Sequence, residues 1–292
     1  MFFHQPVLSV EILRFMNVEK DRGYFCDCTV GGAGHLLAML QRTKRANFIG
    51  IEWDRDAFDY AQQKIEPYRD RCLLFEDNFV NLGLILDKLR IKGLAGVLFD
   101  LGVSYFQLTT TARGFSFERD GVLSMAMSSK SPSLLQKLRF APKHEIIKVL
   151  KEYGDVHSCR KIGSKIYEQR KSLKTTMDLR WIVDSVIPKR FLKKNLHKVF
   201  QALRIWVNDE IENLKLGLTV ALDRLEPNGR IVVISYHSGE DRIVKNTFRN
   251  LHRDGKLLLL NKKILRPTED EIKLNPRARS AKLRAGEKCV LC

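Results

Sequence analysis

The residues in this sequence whose types and settings could do chemistry fall at a few abrupt ends of apolar runs. In "DCTVGGAGH", residues 27–35, a β-prone run breaks at Gly31-Gly32-Ala33-Gly34 and a helix-prone stretch follows. Strand, glycine turn and helix bring backbone amides close to a small bound molecule. Glu52 ends the next apolar run, "NFIGIE", where a carboxylate can accept hydrogen bonds from both hydroxyls of a ribose. Asp100 ends "AGVLFD", and Ser235-Tyr236-His237-Ser238 follows the run "RIVVI". A histidine at a strand's end can hold a proton or a ring beside a bound substrate. A purely structural histidine is the alternative for His237.

The elements that must position these groups alternate along the chain. Residues 23–29, 46–52, 71–75, 95–100 and 230–235 are strand-like; 35–42, 55–66, 81–90 and a stretch near 207–224 are helix-like. That alternation predicts a doubly wound, parallel α/β sheet. Glu226-Pro227-Asn228-Gly229 has turn composition, and the late runs 256–265 and 280–291 are expected to close the sheet as an antiparallel edge. Between about 111 and 200 the strand pattern stops and the chain is basic and helix-like, which predicts an inserted helical domain.

The loop narrows the ligand. Leu37 stands where a dinucleotide fingerprint needs its third glycine, and no Gly-Lys-Ser/Thr follows to make a phosphate-cradling loop. A cofactor without a pyrophosphate remains. Glycine loop, Glu52 and Asp100 together describe an S-adenosylmethionine site, against the alternative of a nucleotide-free α/β domain with ordinary turns.

Charge points to the partner. Of 292 residues, 51 are Lys or Arg and 34 Asp or Glu, a net charge of +17. Residues 111–200 hold 20 basic and 8 acidic side chains, 20 − 8 = +12, and the stretch from 261 holds 9 and 4, 9 − 4 = +5. So uneven a distribution is the electrostatic footprint of a polyanion-binding protein, nucleic acid first, with solvated basic helix faces as the alternative. No apolar run is long enough to span a bilayer, and neither a signal peptide nor a transit peptide is evident, so a cytoplasmic location is expected. The six cysteines include Cys289-Val-Leu-Cys292, which with Cys26 and Cys28 has the ligand count of a zinc site but no loop-rich knuckle around it; no metal is expected. The last four residues match a prenylation box only formally.

Seven motifs in one order then resemble the RsmH/MraW family: "HQPVLSVEIL" (4–13), "DCTVGGAGH" (27–35), "DLGVSYFQL" (100–108), "RGFSFERDG" (113–121), "FQALRIWVNDE" (200–210), "ISYHSGEDRIVK" (234–245) and "NPRARSAKLR" (275–284). The resemblance runs from about residue 4 to 288. It implies a Rossmann-like class I methyltransferase sheet, residues 1–110 and 201–292, interrupted by a helical substrate-recognition domain, residues 111–200. The implied activity is transfer of a methyl group from S-adenosylmethionine to the exocyclic N4 of a cytidine in small-subunit ribosomal RNA. The implied partner is that RNA or a partly assembled small subunit, with a homodimer as one assembly and no membrane. A same-fold methyltransferase acting on another RNA, DNA or a small molecule, and a non-catalytic RNA-binding relative, remain as alternatives.

Carried over by motif, the cofactor residues are Ala33, Gly34, His35, Glu52, Phe79 (in "DNFVNLG"), Asp100 and Gln107. Phe79 would pack on the adenine, and Asp77 would meet the adenine amine or serve as a turn residue. Candidate catalytic residues are His237, Asp100 and Asp120; candidate substrate contacts are Arg113, Lys161, Lys165, Arg204, Asn208 and Arg242. His237 and Asp241 are four apart, one helical turn, while Ser238 with Asp241 fits a helix cap instead. The chain departs from the family's D-G-P-L-D-M-R-M-D at 120–128, which here is Asp-Gly-Val-Leu-Ser-Met-Ala-Met-Ser. Ala33 and Glu52 stand where the family usually has glycine and aspartate, and Gly239 where it has leucine.

Overall fold

The computed structural model describes residues 6–104, 107–108 and 110–290. The start of the first motif, Tyr105 and Phe106 of the third, and Cys292 of the C-x-x-C pair therefore lie outside the described residues. The chain divides into two compact units, residues 1–102 with 211–292, and residues 103–210.

The first unit is built on a seven-stranded sheet in the order β3-β2-β1-β4-β5-β7-β6. Its strands are β1 (Tyr24–Asp27), β2 (Asn47–Glu52), β3 (Cys72–Glu76), β4 (Leu94–Asp100), β5 (Leu225–Ser235), β6 (Leu257–Leu259) and β7 (Lys282–Lys288). The first five run parallel, and β7 is antiparallel to both of its neighbours. Helices α1 (Ser9–Met16), α2 (Gly34–Arg42), α3 (Arg55–Ile65), α4 (Leu82–Lys88), α10 (Glu210–Arg224), α11 (Ser238–Arg253) and α12 (Glu269–Leu274) accompany it.

Successive strand residues face opposite ways, so each strand feeds two cores. Phe25, Phe48, Leu98, Val232 and Ile234 pack with α1, α2 and α3; Cys26, Ile49, Ile51, Val97, Phe99, Ile231 and Val233 pack with α4, α10 and α11. Near-continuous apolar runs are what a strand buried on both faces requires. This is the doubly wound sheet that the alternation predicts. Three details differ. β7 lies inside the sheet, and the short β6 is the edge. Residues 226–229 lie within β5 as an excursion opposite Ala95, because Leu94 pairs Leu225 and Gly96 pairs Arg230; Asn228 there has φ 62°. The helix expected over 207–224 starts at Glu210, after a break where Asp209 has φ 49°.

The second unit contains α5 (Leu134–Phe140), α6 (Lys143–Glu152), α7 (Cys159–Gln169), α8 (Thr176–Asp184) and α9 (Lys189–Val207). Their apolar faces meet in one core that includes Leu138, Leu150, Ile162, Ile166, Leu179, Val183, Val199 and Leu203. Ser133 and Thr175 start α5 and α8 with reciprocal capping boxes to Gln136 and Asp178. Among the described residues no helix is long and apolar enough to cross a membrane. Cys26 and Cys28 are buried in the sheet with their sulfurs 3.7 Å apart, where they pack as small apolar groups.

Candidate active site

In a parallel sheet the carboxyl ends of the strands share one edge, and ligands bind in the crevice above it. Here that edge carries Asp27, Glu52, Asp100 and Ser235, the last residues of β1, β2, β4 and β5.

The glycine loop is pinned from below by Glu52. One carboxylate oxygen accepts the Gly31 N–H at 2.7 Å and the other the Asp54 N–H at 2.8 Å. Burial is the main cause that pushes the Glu52 carboxyl up to about 7, partly opposed by those two amides. Ala33, fully buried at φ 63°, turns the chain into α2 from the left-handed region, where a methyl group costs about 1–2 kcal/mol. A glycine there would avoid that cost. Gly34 and His35 then open α2, whose first amides have no side-chain cap.

A second knot joins β1, β4 and β5. Thr29 donates its N–H to Asp27 Oδ1 at 3.0 Å and accepts the Asp100 N–H on its hydroxyl at 2.6 Å. Tyr236 donates its hydroxyl to Asp100 Oδ1 at 2.9 Å, and His35 Nε2 lies 3.3 Å from Asp100 Oδ2 without hydrogen-bond geometry. Burial beside Asp100 raises the Tyr236 hydroxyl well above its usual range, so it stays a donor. Gly102, at φ 104°, lies flat against that ring: a Cβ there would come within 3.2 Å of it. Asp27 is pushed up to about 6 by burial, opposed by His35.

Buried polar atoms at this edge are left without a hydrogen-bond partner: Asp27 Oδ2 and both ring nitrogens of His35. Leaving such atoms unpaired costs about 1–3 kcal/mol each, so the edge is built for a polar ligand. Asp27 was not singled out by sequence reasoning as a site residue, whereas Tyr236 belongs to the 235–238 turn that was. Asp27 falls inside the strand-like stretch 23–29, whereas Glu52 and Asp100 end theirs.

Phe79 follows β3 and meets Phe99 edge-on, with ring centroids 5.4 Å apart. Gly217 of α10 makes room for it, since a Cβ there would come within 2.6 Å of the ring. Asp77 is occupied as a turn residue, accepting from the Asn78 N–H and the Asn81 side-chain amide.

His237 differs from the sequence expectation. It, not Ser238, caps α11: its Nδ1 accepts the Glu240 N–H at 3.3 Å, while Glu240 Oε2 accepts the N–H groups of Tyr236 and His237. Glu240 is thus the capping partner. Asp241 is released from that role and binds Arg284 of β7 at 2.7 Å. Arg242 is exposed on α11.

The remaining candidates lie in the second unit. Gln107 and Ser104 exchange hydrogen bonds across one turn. Asp120 accepts from the Gly121 and Met177 N–H groups at the start of α8, and hydrogen bonding, from Thr175 above all, lowers its carboxyl below the ordinary range. Arg113 donates to the carbonyls of Ala126 and Met127, and Asn208 spans Met125 and Met127. Arg204 makes a two-pronged pair with Glu210 at 2.8 and 2.9 Å. Lys161 and Lys165 line an open groove on α7.

A parallel core of five strands, a reversed β7 between β5 and β6, and an acidic carboxyl edge under a glycine loop define a Rossmann-like methyltransferase sheet of class I. The profile of the MraW methylase family matches residues 1–289, and the chain belongs to that family. It is similar to three proteins named Ribosomal RNA small subunit methyltransferase H. The one from Persephonella marina is 41% identical over 99% of this chain and 100% of that protein. The one from Thermotoga neapolitana is 40% identical over 98% and 96%, and the one from Carboxydothermus hydrogenoformans 37% over 98% and 98%.

Proposed function

We propose that this chain is an S-adenosylmethionine-dependent methyltransferase that methylates the exocyclic N4 of a cytidine in small-subunit ribosomal RNA. The observation that carries the reading is membership of the MraW methylase family over residues 1–289, with a relative named Ribosomal RNA small subunit methyltransferase H covered end to end. With that substrate we read the protein as cytoplasmic.

The edge fits the cofactor. Glu52 would take the ribose hydroxyls while holding the loop, Phe79 would border the adenine, and the first amides of α2 at Gly34 and His35 would receive the methionine carboxylate. The unpaired Asp27 Oδ2, with Asp100 beside it, suits the methionine ammonium. When bound, the sulfonium supplies the electrophilic methyl group, and this chain's residues do the rest. The cytosine amine is a poor nucleophile because its lone pair is delocalised into the ring. It must be unstacked, held in line, and relieved of a proton. Asp100, held by the Tyr236 hydroxyl, would accept a hydrogen bond from that amine.

His237 takes the complementary part. Because its Nδ1 accepts from Glu240, the neutral ring carries its proton on Nε2, so it donates to O2 or N3 of the base. That draws electron density from the ring and acidifies the amine. In the second unit, Arg113 and Asn208 shape the 125–127 segment through contacts to its backbone, Arg204 is held by Glu210, and Asp120 fixes the start of α8. The basic side chains, Lys161 and Lys165 among them, meet RNA phosphates, and Arg242 adds to them from α11.

Mass spectrometry of nucleosides from small-subunit rRNA, in cells with and without the gene, tests the reading. Loss of N4-methylcytidine on deletion supports it, and an unchanged profile rejects it.

Glu52 gives a pH signature. Its carboxyl sits near 7 against an ordinary 4.5, so the folded protein binds that proton more tightly than the unfolded chain and this group's contribution to stability falls as pH rises from 4.5 to 7. Cofactor binding runs the other way, since the ribose hydroxyls need the ionised carboxylate. Affinity measured by calorimetry should drop about tenfold between pH 8 and pH 6. Glu52→Gln should bind more weakly and lose most of that dependence, and Glu52→Ala should bind at least about tenfold more weakly at pH 8.

A further inference from the structure

In the second unit, α7 and the end of α8 bound an open groove of about 470 Å³, lined by Arg160, Lys161, Ser164, Lys165, Ser185 and Val186. Its cations are not neutralised by the fold. Among the described residues Arg160 and Lys161 have no ion pair, and Lys165 donates only to the Ser185 hydroxyl, at 2.8 Å. Asp184, the neighbouring acid on α8, is tied to Lys189 at 3.0 Å.

Arg160 and Lys161 also occupy the first turn of α7, which has no acidic residue there and no side-chain cap. Cations at the positive end of a helix dipole oppose it, and an anion relieves both the dipole and the unpaired amides. One turn along α8 from Ser185, and on the same face, stands Trp181. The Ser185 N–H closes that turn on the Trp181 carbonyl, and the indole is 63% exposed. A large exposed aromatic one turn from a cationic groove is the pairing that holds single-stranded nucleic acid, phosphate in the groove and base on the ring.

We propose that this groove is a phosphate-binding site for single-stranded RNA, with Trp181 as the stacking platform for the adjoining base. The proposal rests on the RNA-methyltransferase reading and assigns it a second RNA contact, separate from the cofactor edge.

The test titrates the full-length protein with a ten-nucleotide oligocytidylate RNA and with a duplex of the same length, following tryptophan fluorescence and affinity against salt. The single strand should quench fluorescence, and Trp181→Ala should abolish the quench and weaken binding about tenfold. Trp181→Phe should retain most of the affinity. Arg160→Glu with Lys161→Glu and Lys165→Glu should lower affinity by a further order of magnitude and flatten the salt slope by about two, on roughly 0.7 per phosphate lost. Cofactor affinity in each variant confirms folding. Equal affinity in the alanine variant, or preferential binding of the duplex, overturns the stacking site; an unchanged slope in the triple variant overturns the groove. If the parent transfers methyl groups to small-subunit RNA in these same preparations while the variants bind like it, the groove is wrong and the function stands. A parent that binds neither cofactor nor small-subunit RNA refutes the function itself.

Discussion

Replacing His237 with alanine is expected to lower methyl transfer about 100-fold in single turnover on a small-subunit substrate, with cofactor affinity unchanged. The size follows from the proton that the ring would donate to the base. Capping by Nδ1 fixes the tautomer, and a ring that is largely buried holds Nε2–H in one direction. Nε2 is buried 3.1 Å from Glu240 Oε1 without a hydrogen bond to it, so donation to the base would be the first hydrogen bond that its proton makes. The same variant also loses a cap, which costs on the order of 1 kcal/mol. The two losses separate in His237→Asn. Asparagine caps a helix well, so thermal stability should return while the rate stays low. If asparagine restores the rate, the histidine acts through the cap alone.

The fold was legible wherever a run was long and apolar. "NFIGIE" and "AGVLFD" read as buried strands because both faces of each meet a core, and the breaks after them put Glu52 and Asp100 at one edge. The excursion at 226–229 was not legible as part of a strand. Pro, Asn and Gly signal a turn, and the pairing of Leu225 with Leu94 is a tertiary fact. The break before α10 was hidden for a related reason. "WVNDEIENL" carries helical composition throughout, and only Asn208, turned back onto another segment, shows why the helix stops.

Side-chain duties were harder to read than positions. Composition favours Ser238 as the cap of α11, since hydroxyls lead the statistics, yet the imidazole takes the place and frees Asp241 for Arg284. Asp27 was overlooked because an acid inside "FCDCT" looks like an accident of a strand. Its burial and its unpaired oxygen are visible only once β1 lies between β2 and β4.

Asn208→Ala is expected to destabilise the second unit by about 3 kcal/mol, because Asn208 is a structural clamp on the 125–127 segment. The residue is 2% exposed, its Oδ1 accepts the Met127 N–H at 2.8 Å, and its Nδ2 donates to the Met125 carbonyl at 2.8 Å. Truncation strands a buried donor and a buried acceptor, each worth roughly 1–3 kcal/mol. Its third contact, to the Arg204 carbonyl, is backed by the backbone N–H of residue 208 and adds little. A loss of that size lowers the melting temperature by roughly 12–24 °C in a unit of about 100 residues. The segment so held has no charged side chain, with Ser124, Ala126 and Ser128 alternating with its methionines, so its shape depends on the clamp. A direct RNA contact through the Asn208 amide makes the opposite forecast: weaker RNA binding at unchanged stability. Thermal unfolding and RNA titration of the same variant decide between them, and a melting temperature within 2 °C of the parent, an estimate on the same scale, would overturn the clamp.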